Sequence, residues 1–142
     1  VKWFAPILSF TTEEIFTLIN KDKKSIHLEQ FIKFPDSFQD EELHKRWIEL
    51  KKIRDICNIS IEAKRVSKEI GSSLEANLII NLNKDLNEIS KDIDFSELCI
   101  TSSAIVKKSN TEKVTAETIK AEGNKCPICW KINKEKCARH SD

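Results

Sequence analysis

The end of the chain carries four candidate metal ligands in two pairs, and two residues separate the members of each pair. Cys126 and Cys129 form the first pair, and Cys137 and His140 form the second. Two ligands on one tight turn can point at the same ion, and a second such turn completes a tetrahedron. Metal binding supplies folding free energy to a segment too short for an apolar core. The spacing predicts one structural zinc ion; the alternative is ordinary thiols on a frayed tail.

The composition favours a chain that is mostly helical. Of its 142 residues 33% are charged, and only two are glycine and three are proline. Lys, Glu, Ile and Leu are abundant, and they tolerate helices better than glycine or proline does. Five cysteines, three of them in the terminal cluster, fit a reducing compartment better than a disulfide framework. We therefore expect a cytoplasmic protein, and nothing in the sequence requires more than a monomer.

Two further features concern the extent of the chain. No apolar run is long enough to span a bilayer, so no membrane association is expected. The chain contains no methionine, and it opens inside a running pattern, which we interpret as a fragment of a longer protein.

The longest helical pattern extends from about residue 37 to residue 70, and we expect Gly71 to end it. Apolar residues recur along it at steps of three and four, which predicts one buried stripe. The stripe comprises Leu43, Trp47, Leu50, Ile53, Ile56, Ile59, Ala63, Val66 and Ile70. A shorter helix is predicted to begin with Thr11 as its N-cap. The aromatic residues expected in the core are Trp3, Phe38 and Trp47.

After Gly71 the pattern changes to strands alternating with a short helix. Strands are predicted around 76–82, within 95–106 and over 114–121, with a helix between 82 and 93. Cys57 and Cys99 lie among apolar residues and are expected in the core. The predicted fold class is α+β and mostly helical: a helical-bundle portion, a small α+β unit and a C-terminal zinc knuckle. The corresponding domains are 1–72, 73–121 and 122–142.

Three strings of this sequence, in this order, resemble the C-terminal end of bacterial-type isoleucyl-tRNA synthetases. The first is 5–15, Ala-Pro-Ile-Leu-Ser-Phe-Thr-Thr-Glu-Glu-Ile. The second comprises positions 47–65 of the long helix and its exit, Ile-Gly-Ser-Ser-Leu-Glu-Ala at 70–76. The third is 121–130, Ala-Glu-Gly-Asn-Lys-Cys-Pro-Ile-Cys-Trp. Where that family usually closes with a second Cys-x-x-Cys, this chain has Cys137 and His140, and imidazole is also a normal zinc ligand.

The resemblance implies that catalysis and tRNA contact belong to different parts of a longer enzyme. The family joins isoleucine to its tRNA through an aminoacyl-adenylate, in an upstream domain that binds ATP. Its two ATP-handling signatures are absent here, so we assign no catalytic residue to this chain. The partners implied are the anticodon stem-loop of an isoleucine-accepting tRNA and the upstream domains of the same synthetase.

The residues themselves suggest how such a tRNA would be held. Trp130 directly follows the first ligand pair, where it could stack on a loop base or instead pack against the zinc turn. Basic residues that could contact phosphates surround it: Lys125, Lys131, Lys134 and Arg139. A second group lies on the long helix: Arg54, Lys64 and Arg65.

Two alternatives of other classes remain open at this point. One is the zinc-finger tail of a DNA-repair glycosylase, although Trp130 stands where that finger usually has glycine. The other is a zinc-stapled protein-interaction module that binds no nucleic acid. A synthetase for valine or leucine is a smaller variant of the first interpretation.

Overall fold

The computed structural model describes residues 1–22 and 24–140, which form two compact units, Val1–Asp40 and Glu41–Asp142. The described helices and strands are α1 (Ser9–Ile19), α2 (Glu41–Val66), β1 (Ala76–Leu82), α3 (Lys84–Ile89), α4 (Phe95–Leu98), β2 (Ser103–Lys108), β3 (Thr115–Lys120), β4 (Asn124–Lys125) and β5 (Ile132–Asn133). The α+β class is confirmed. The division into three domains stays a prediction, and residues 141–142 of the predicted zinc module lie outside the described residues.

The first unit contains α1 and two 3₁₀ turns, Ile26–Leu28 and Asp36–Phe38. Thr11 is not the N-cap, because α1 already begins at Ser9. The buried Thr12 explains the earlier start: both its backbone N–H and its hydroxyl donate to the carbonyl of Leu8, at 2.9 and 2.8 Å. The helix therefore starts one turn earlier than the Thr-Glu pattern indicates.

The aromatic residues expected in the core are exposed. The buried apolar cluster of the first unit consists of Ala5, Phe16 and Ile26, which is too small to enclose large rings. Trp3 and Phe38 instead lie at the surface on either side of Phe34, with ring centroids 5.2 and 6.0 Å from it. In the second unit, Trp47 is also exposed.

The second unit is built on a three-stranded sheet in the order β2-β1-β3. The central strand β1 runs parallel to β2 and antiparallel to β3. Its alternating pattern buries Ala76, Leu78, Ile80 and Leu82 on one face, as a half-covered strand should. These side chains belong to the same apolar cluster as the buried side of α2. The strand predicted at 76–82 is confirmed.

The buried side of α2 differs in part from the predicted stripe. Leu50, Ile53, Cys57 and Ile61 are buried, whereas Ile59 is 72% exposed and Val66 is also at the surface. The buried residues follow one another at steps of three, four and four, which keeps them on one side of a helix with 3.6 residues per turn; the predicted steps of three from Ile53 to Ile59 turn away from that side. A hydrogen bond of 2.7 Å between the Ser60 and Thr118 hydroxyls joins α2 to β3.

The exit from α2 also differs from the prediction. The helix ends at Val66, five residues before Gly71. Lys68 takes the left-handed conformation there, with φ of 60°, and the N–H of Glu69 donates to the carbonyl of Lys64 at 3.1 Å. This is the usual way of closing a helix, with lysine in place of glycine.

The segment 95–106 is not a single strand. Its first part forms α4, because Asp94 accepts a hydrogen bond from the N–H of Ser96 at 2.8 Å and caps a helical turn. Phe95 and Cys99 of this turn are buried, and β2 begins at Ser103. Of the helices in the described part of the chain, none combines the length and apolar character needed to cross a membrane.

Replacing Leu50 by alanine tests the core. Leu50 is fully buried on α2, so we expect Leu50→Ala to lower the free energy of unfolding by about 2–5 kcal/mol. Ile59→Ala on the exposed side of the same helix should change it by no more than about 0.5 kcal/mol. Urea denaturation followed by circular dichroism measures both, and equal losses would contradict the assignment of the buried side.

Candidate metal centre and the adjoining surface

Two tight turns bring the predicted metal ligands together. The short strands β4 and β5 form a hairpin, and at its end the N–H of Cys126 donates to the carbonyl of Lys131 at 2.9 Å. The N–H of Trp130 donates back to the carbonyl of Cys126 at 3.0 Å. A second turn is closed by the N–H of His140 donating to the carbonyl of Cys137, also at 3.0 Å.

The four candidate ligand atoms lie close enough together to hold one metal ion. The sulfurs of Cys126, Cys129 and Cys137 and a ring nitrogen of His140 all lie within 4.8 Å of one another. The Cys129 and Cys137 sulfurs are 3.7 Å apart, and His140 Nδ1 is 3.6 Å from the Cys126 and Cys137 sulfurs. Zinc bond lengths give tetrahedron edges of about 3.8 Å between sulfurs and about 3.6 Å between sulfur and nitrogen. The ligand set therefore fits a metal ion.

The backbone of the first turn prepares its thiols for an ion. The N–H groups of Cys129 and Ile128 donate to the Cys126 sulfur and lower the pKa of that thiol to about 6. For Cys129 the largest single influence, the N–H of Lys131, lowers the pKa. Burial and hydrogen bonds with the neighbouring thiols outweigh it, so this pKa is raised without an ion. A cation at the centre would favour the thiolate form of both.

Gly123 permits the close approach of the two strands of the hairpin. Its φ is 131°, and a Cβ at this position would lie 2.2 Å from the carbonyl oxygen of Asn133. Both the conformation and the clash exclude a side chain there. The first ligand pair directly follows this hairpin, so Gly123 helps to determine where the pair lies.

An acidic residue outside the module holds it against α4. Glu97 Oε1 accepts hydrogen bonds from Lys131 Nζ at 2.6 Å and from Arg139 at 3.1 Å. The side chain of Lys131 is largely buried, and these cations lower the pKa of the Glu97 carboxyl, Lys131 most strongly. Ser102 adds a second link, since its hydroxyl accepts from the N–H of Ile132 at 2.6 Å and donates to the carbonyl of Leu74. Sequence reasoning missed both residues, because each meets the module across about thirty intervening positions.

Trp130 lies on the surface of the metal-binding turn. Trp130 is 59% exposed, so its ring is not enclosed by the core. Lys125 Nζ lies 5.8 Å from the ring centroid. Its backbone is left-handed, with φ of 64°, a conformation that disfavours a large side chain. The turn thus presents an aromatic face beside a cation.

The other predicted basic residues are distributed over the second unit. Lys134 pairs with Glu122 at 3.4 Å on the same module. On α2, Lys64 pairs with Glu69 and Arg65 pairs with Glu62, at 2.7 and 2.6 Å. The Nε of Arg54 donates to the carbonyl of Leu98 at 3.0 Å. Their assignment to tRNA contacts stays a prediction.

Comparison with known families bears directly on this architecture. Residues 1–80, more than half of the chain, match the family described as the anticodon-binding domain of tRNA ligase. The chain belongs to this family. The match covers all of α1 and α2 and continues into β1, and the metal-binding turns lie beyond it.

Individual relatives agree with membership of the anticodon-binding domain family. An isoleucine–tRNA ligase of Pelagibacter ubique is 82% identical over 142 residues, which is all of this chain and 16% of that protein. Isoleucine–tRNA ligases of Agrobacterium fabrum and Methylacidiphilum infernorum are 36% and 39% identical, over 93% and 94% of this chain and 15% and 14% of theirs. The chain thus spans about a sixth of the length of such relatives. Neither comparison supports a DNA-repair glycosylase tail or a protein-interaction module.

Substituting Gly123 tests whether the hairpin positions the ligands. We expect Gly123→Ala to destabilise the module by about 1–3 kcal/mol, because alanine disfavours this φ and its methyl meets the Asn133 carbonyl. The measurement is zinc retention against a chelator, followed by a colorimetric zinc indicator. Gly71→Ala is the matched control, since a Cβ there would be 3.6 Å from the nearest atom, an ordinary contact. Equal retention in the two variants would contradict the role of Gly123.

Proposed function

We propose that this chain is the C-terminal tRNA-binding region of an isoleucine–tRNA ligase, and that it contacts the anticodon stem-loop of an isoleucine-accepting tRNA. Membership of the anticodon-binding domain family and the names of the relatives support this proposal. The remaining domains of the longer enzyme would bind ATP and carry out aminoacylation. We propose no catalytic residue in the present chain, a monomeric state and a cytoplasmic location.

The ion proposed for the four-ligand site is a single structural zinc. Three thiolates and one imidazole form a soft donor set that suits zinc, and no carboxylate of the described residues belongs to this set. Four protein ligands complete a tetrahedron, so the site leaves no open position for a substrate or a reactive water. When bound, zinc would supply folding free energy to the module and no chemistry.

Trp130 is the observation that carries the proposal for RNA binding. A large aromatic ring that is mostly exposed, in a disfavoured backbone conformation, lies on a turn fixed by metal ligands. Strained positions of this kind concentrate at functional sites. An unpaired base of a loop could stack on the ring, while Lys125 beside it meets the phosphate backbone.

The other basic residues would act in two ways. Lys131 and Arg139 hold the module on Glu97, so their first role is to fix the orientation of the aromatic face. Lys134 on the module, and Arg54, Lys64 and Arg65 on α2, are proposed as phosphate contacts. Phosphate contacts make affinity fall with salt, which a purely apolar interaction would not.

The fourth ligand can be tested through metal content. We expect the chain, purified without chelator and with zinc supplied, to contain one zinc by elemental mass spectrometry. His140→Ala should lose that zinc to a chelator at a concentration that the unchanged chain resists, because one of four ligands is gone. His44→Ala, an exposed histidine on α2, is the control. Equal retention by all three proteins would remove His140 from the ligand set.

Variants of Trp130 test the aromatic face. Trp130→Ala should weaken binding of a fluorescently labelled anticodon stem-loop by about 5- to 150-fold, the effect of one stacked base. Trp130→Gly should weaken it equally while retaining zinc at least as well as the unchanged chain, because glycine accepts the left-handed φ.

Ile128→Ala is the matched control for these variants, since Ile128 is 67% exposed on the same turn. Fluorescence anisotropy measures all affinities. Unchanged RNA affinity of a zinc-loaded Trp130→Ala protein would refute the stacking role.

The remaining functional classes separate in one binding assay. The proposal predicts salt-sensitive binding to the anticodon stem-loop and weaker binding to a duplex DNA that carries a damaged base. A preference for the damaged DNA would favour a repair enzyme, and binding to neither nucleic acid would favour a protein-interaction module.

A further inference from the structure

A groove of about 550 Å³ lies on the second unit, where one face of α2 meets two loops. The loops are the exit toward β1 and the turn after α4. The groove is lined mainly by polar and charged side chains, together with one exposed apolar residue: Arg54, Asn58, Arg65, Ser72, Ser73 and Ile100.

The α2 side of the groove presents donors at helical spacing. Arg54, Asn58 and Arg65 follow one another at steps of four and seven residues, so they occupy one face of α2. Arg54 is half-buried, and the bond from its Nε to the carbonyl of Leu98 fixes the plane of the guanidinium. That bond uses one of five N–H donors, and the others remain for a ligand.

The loop side contributes a strained apolar residue. Ile100 has φ of 56°, and its side chain is 56% exposed. It closes α4: the N–H of Thr101 donates to the carbonyl of Ser96 at 2.8 Å, and the N–H of Ile100 donates to the carbonyl of Glu97 at 3.3 Å. Glycine is the usual residue at such a position, and a β-branched residue is disfavoured there. Because the side chain is exposed, its burial offsets little of the free-energy cost of this conformation. The presence of isoleucine here therefore indicates a functional role for the side chain.

The charges of the side chains that line the groove favour an anion. Arg54 and Arg65 are opposed by the carboxylate of Glu62, which pairs with Arg65 at 2.6 Å. The excess among the lining side chains is one positive charge; the carboxylate of Glu75, at the α2 exit, accepts from the N–H of Gly71 at 2.9 Å. A ligand for this groove therefore needs an anionic group for the arginines and a flat apolar group for Ile100. A nucleotide has both.

We propose that this groove binds one nucleotide of the RNA strand that also contacts Trp130. Phosphate oxygens would accept hydrogen bonds from Arg54 and Arg65, and the base or ribose would lie against Ile100. The inference rests on the proposed RNA-binding function and extends it to a second contact, whose lining residues are separate from those of the metal-binding turns.

Ile100→Gly is the most informative variant, because the relief of backbone strain should preserve its stability whereas the loss of a ligand contact should weaken its RNA binding. Glycine removes the strain at φ of 56°, so the free energy of unfolding should not fall. The loss of apolar contact should weaken binding of an anticodon stem-loop of an isoleucine-accepting tRNA by about fourfold or more. Urea denaturation and fluorescence anisotropy of the zinc-supplied 142-residue chain give the two values.

Two charge variants in the groove should change the RNA affinity in opposite directions. Arg65→Gln should weaken stem-loop binding and reduce the slope of log affinity against log salt by about one. Glu62→Gln should strengthen binding, because it removes the carboxylate that competes with phosphate for Arg65. Ile59→Ala, on α2 but outside the groove lining, should leave the affinity unchanged.

The outcomes separate this inference from the proposed function. If Trp130→Ala weakens stem-loop binding but Ile100→Gly and Arg65→Gln do not, the groove is not an RNA site and the phosphate contact proposed for Arg65 is also lost, whereas RNA binding through the metal-binding turn stands. A loss of stability in Ile100→Gly would also overturn the inference, because the side chain would then be structural. If the unchanged chain does not bind the stem-loop at all, the proposed function itself fails.

Discussion

Four ligand atoms converge near the C-terminal end, and the arrangement of the surface around Trp130 depends on this convergence. Among the described residues beyond Ala121, Cys126 is the one that is buried, so the segment has almost no apolar core to define its shape. Its two turns each hold two ligands, and a shared ion would hold the turns to each other. The orientation of Trp130, which follows the first pair, derives from that closure.

A small number of polar contacts joins the metal-binding module to α4 and to Ser102, the residue before β2. Lys131 directly follows the first turn of the module and Arg139 lies in the second; both bind Glu97, while Ile132 is bonded to Ser102. Glu97 belongs to α4, whose single turn and C-cap place Phe95 and Cys99 in the core that α2 shares with β1. A continuous series of packed and hydrogen-bonded residues therefore runs from the buried face of α2 to the turn of the exposed aromatic ring, which would suit the RNA-loop recognition proposed for that ring.

Sequence reasoning succeeded where a pattern is local. The grouping of the four candidate ligands, the body of α2 and the strand at 76–82 all follow from local spacing, and the metal itself stays a prediction. Sequence reasoning failed where a helix cap or contacts with distant residues decide the structure. The segment 95–106 is locally apolar, but Asp94 caps a helical turn within it. Trp3 and Phe38 are large and apolar, yet the first unit has only three buried residues in its apolar cluster and cannot enclose them. Glu97 and Ile100 acquire their significance only from contacts made in three dimensions.

The zinc K-edge X-ray absorption spectrum of the chain, purified without chelator and with zinc supplied, would identify the atoms bound to the ion. We expect a first shell of three sulfur atoms at about 2.3 Å and one nitrogen at about 2.0 Å. A shell of oxygen and nitrogen atoms alone, or a protein that retains no zinc, would contradict it. In that case no metal would tie the turn that carries Trp130 to the second turn, and the RNA-binding surface argued from this closure would have to be abandoned.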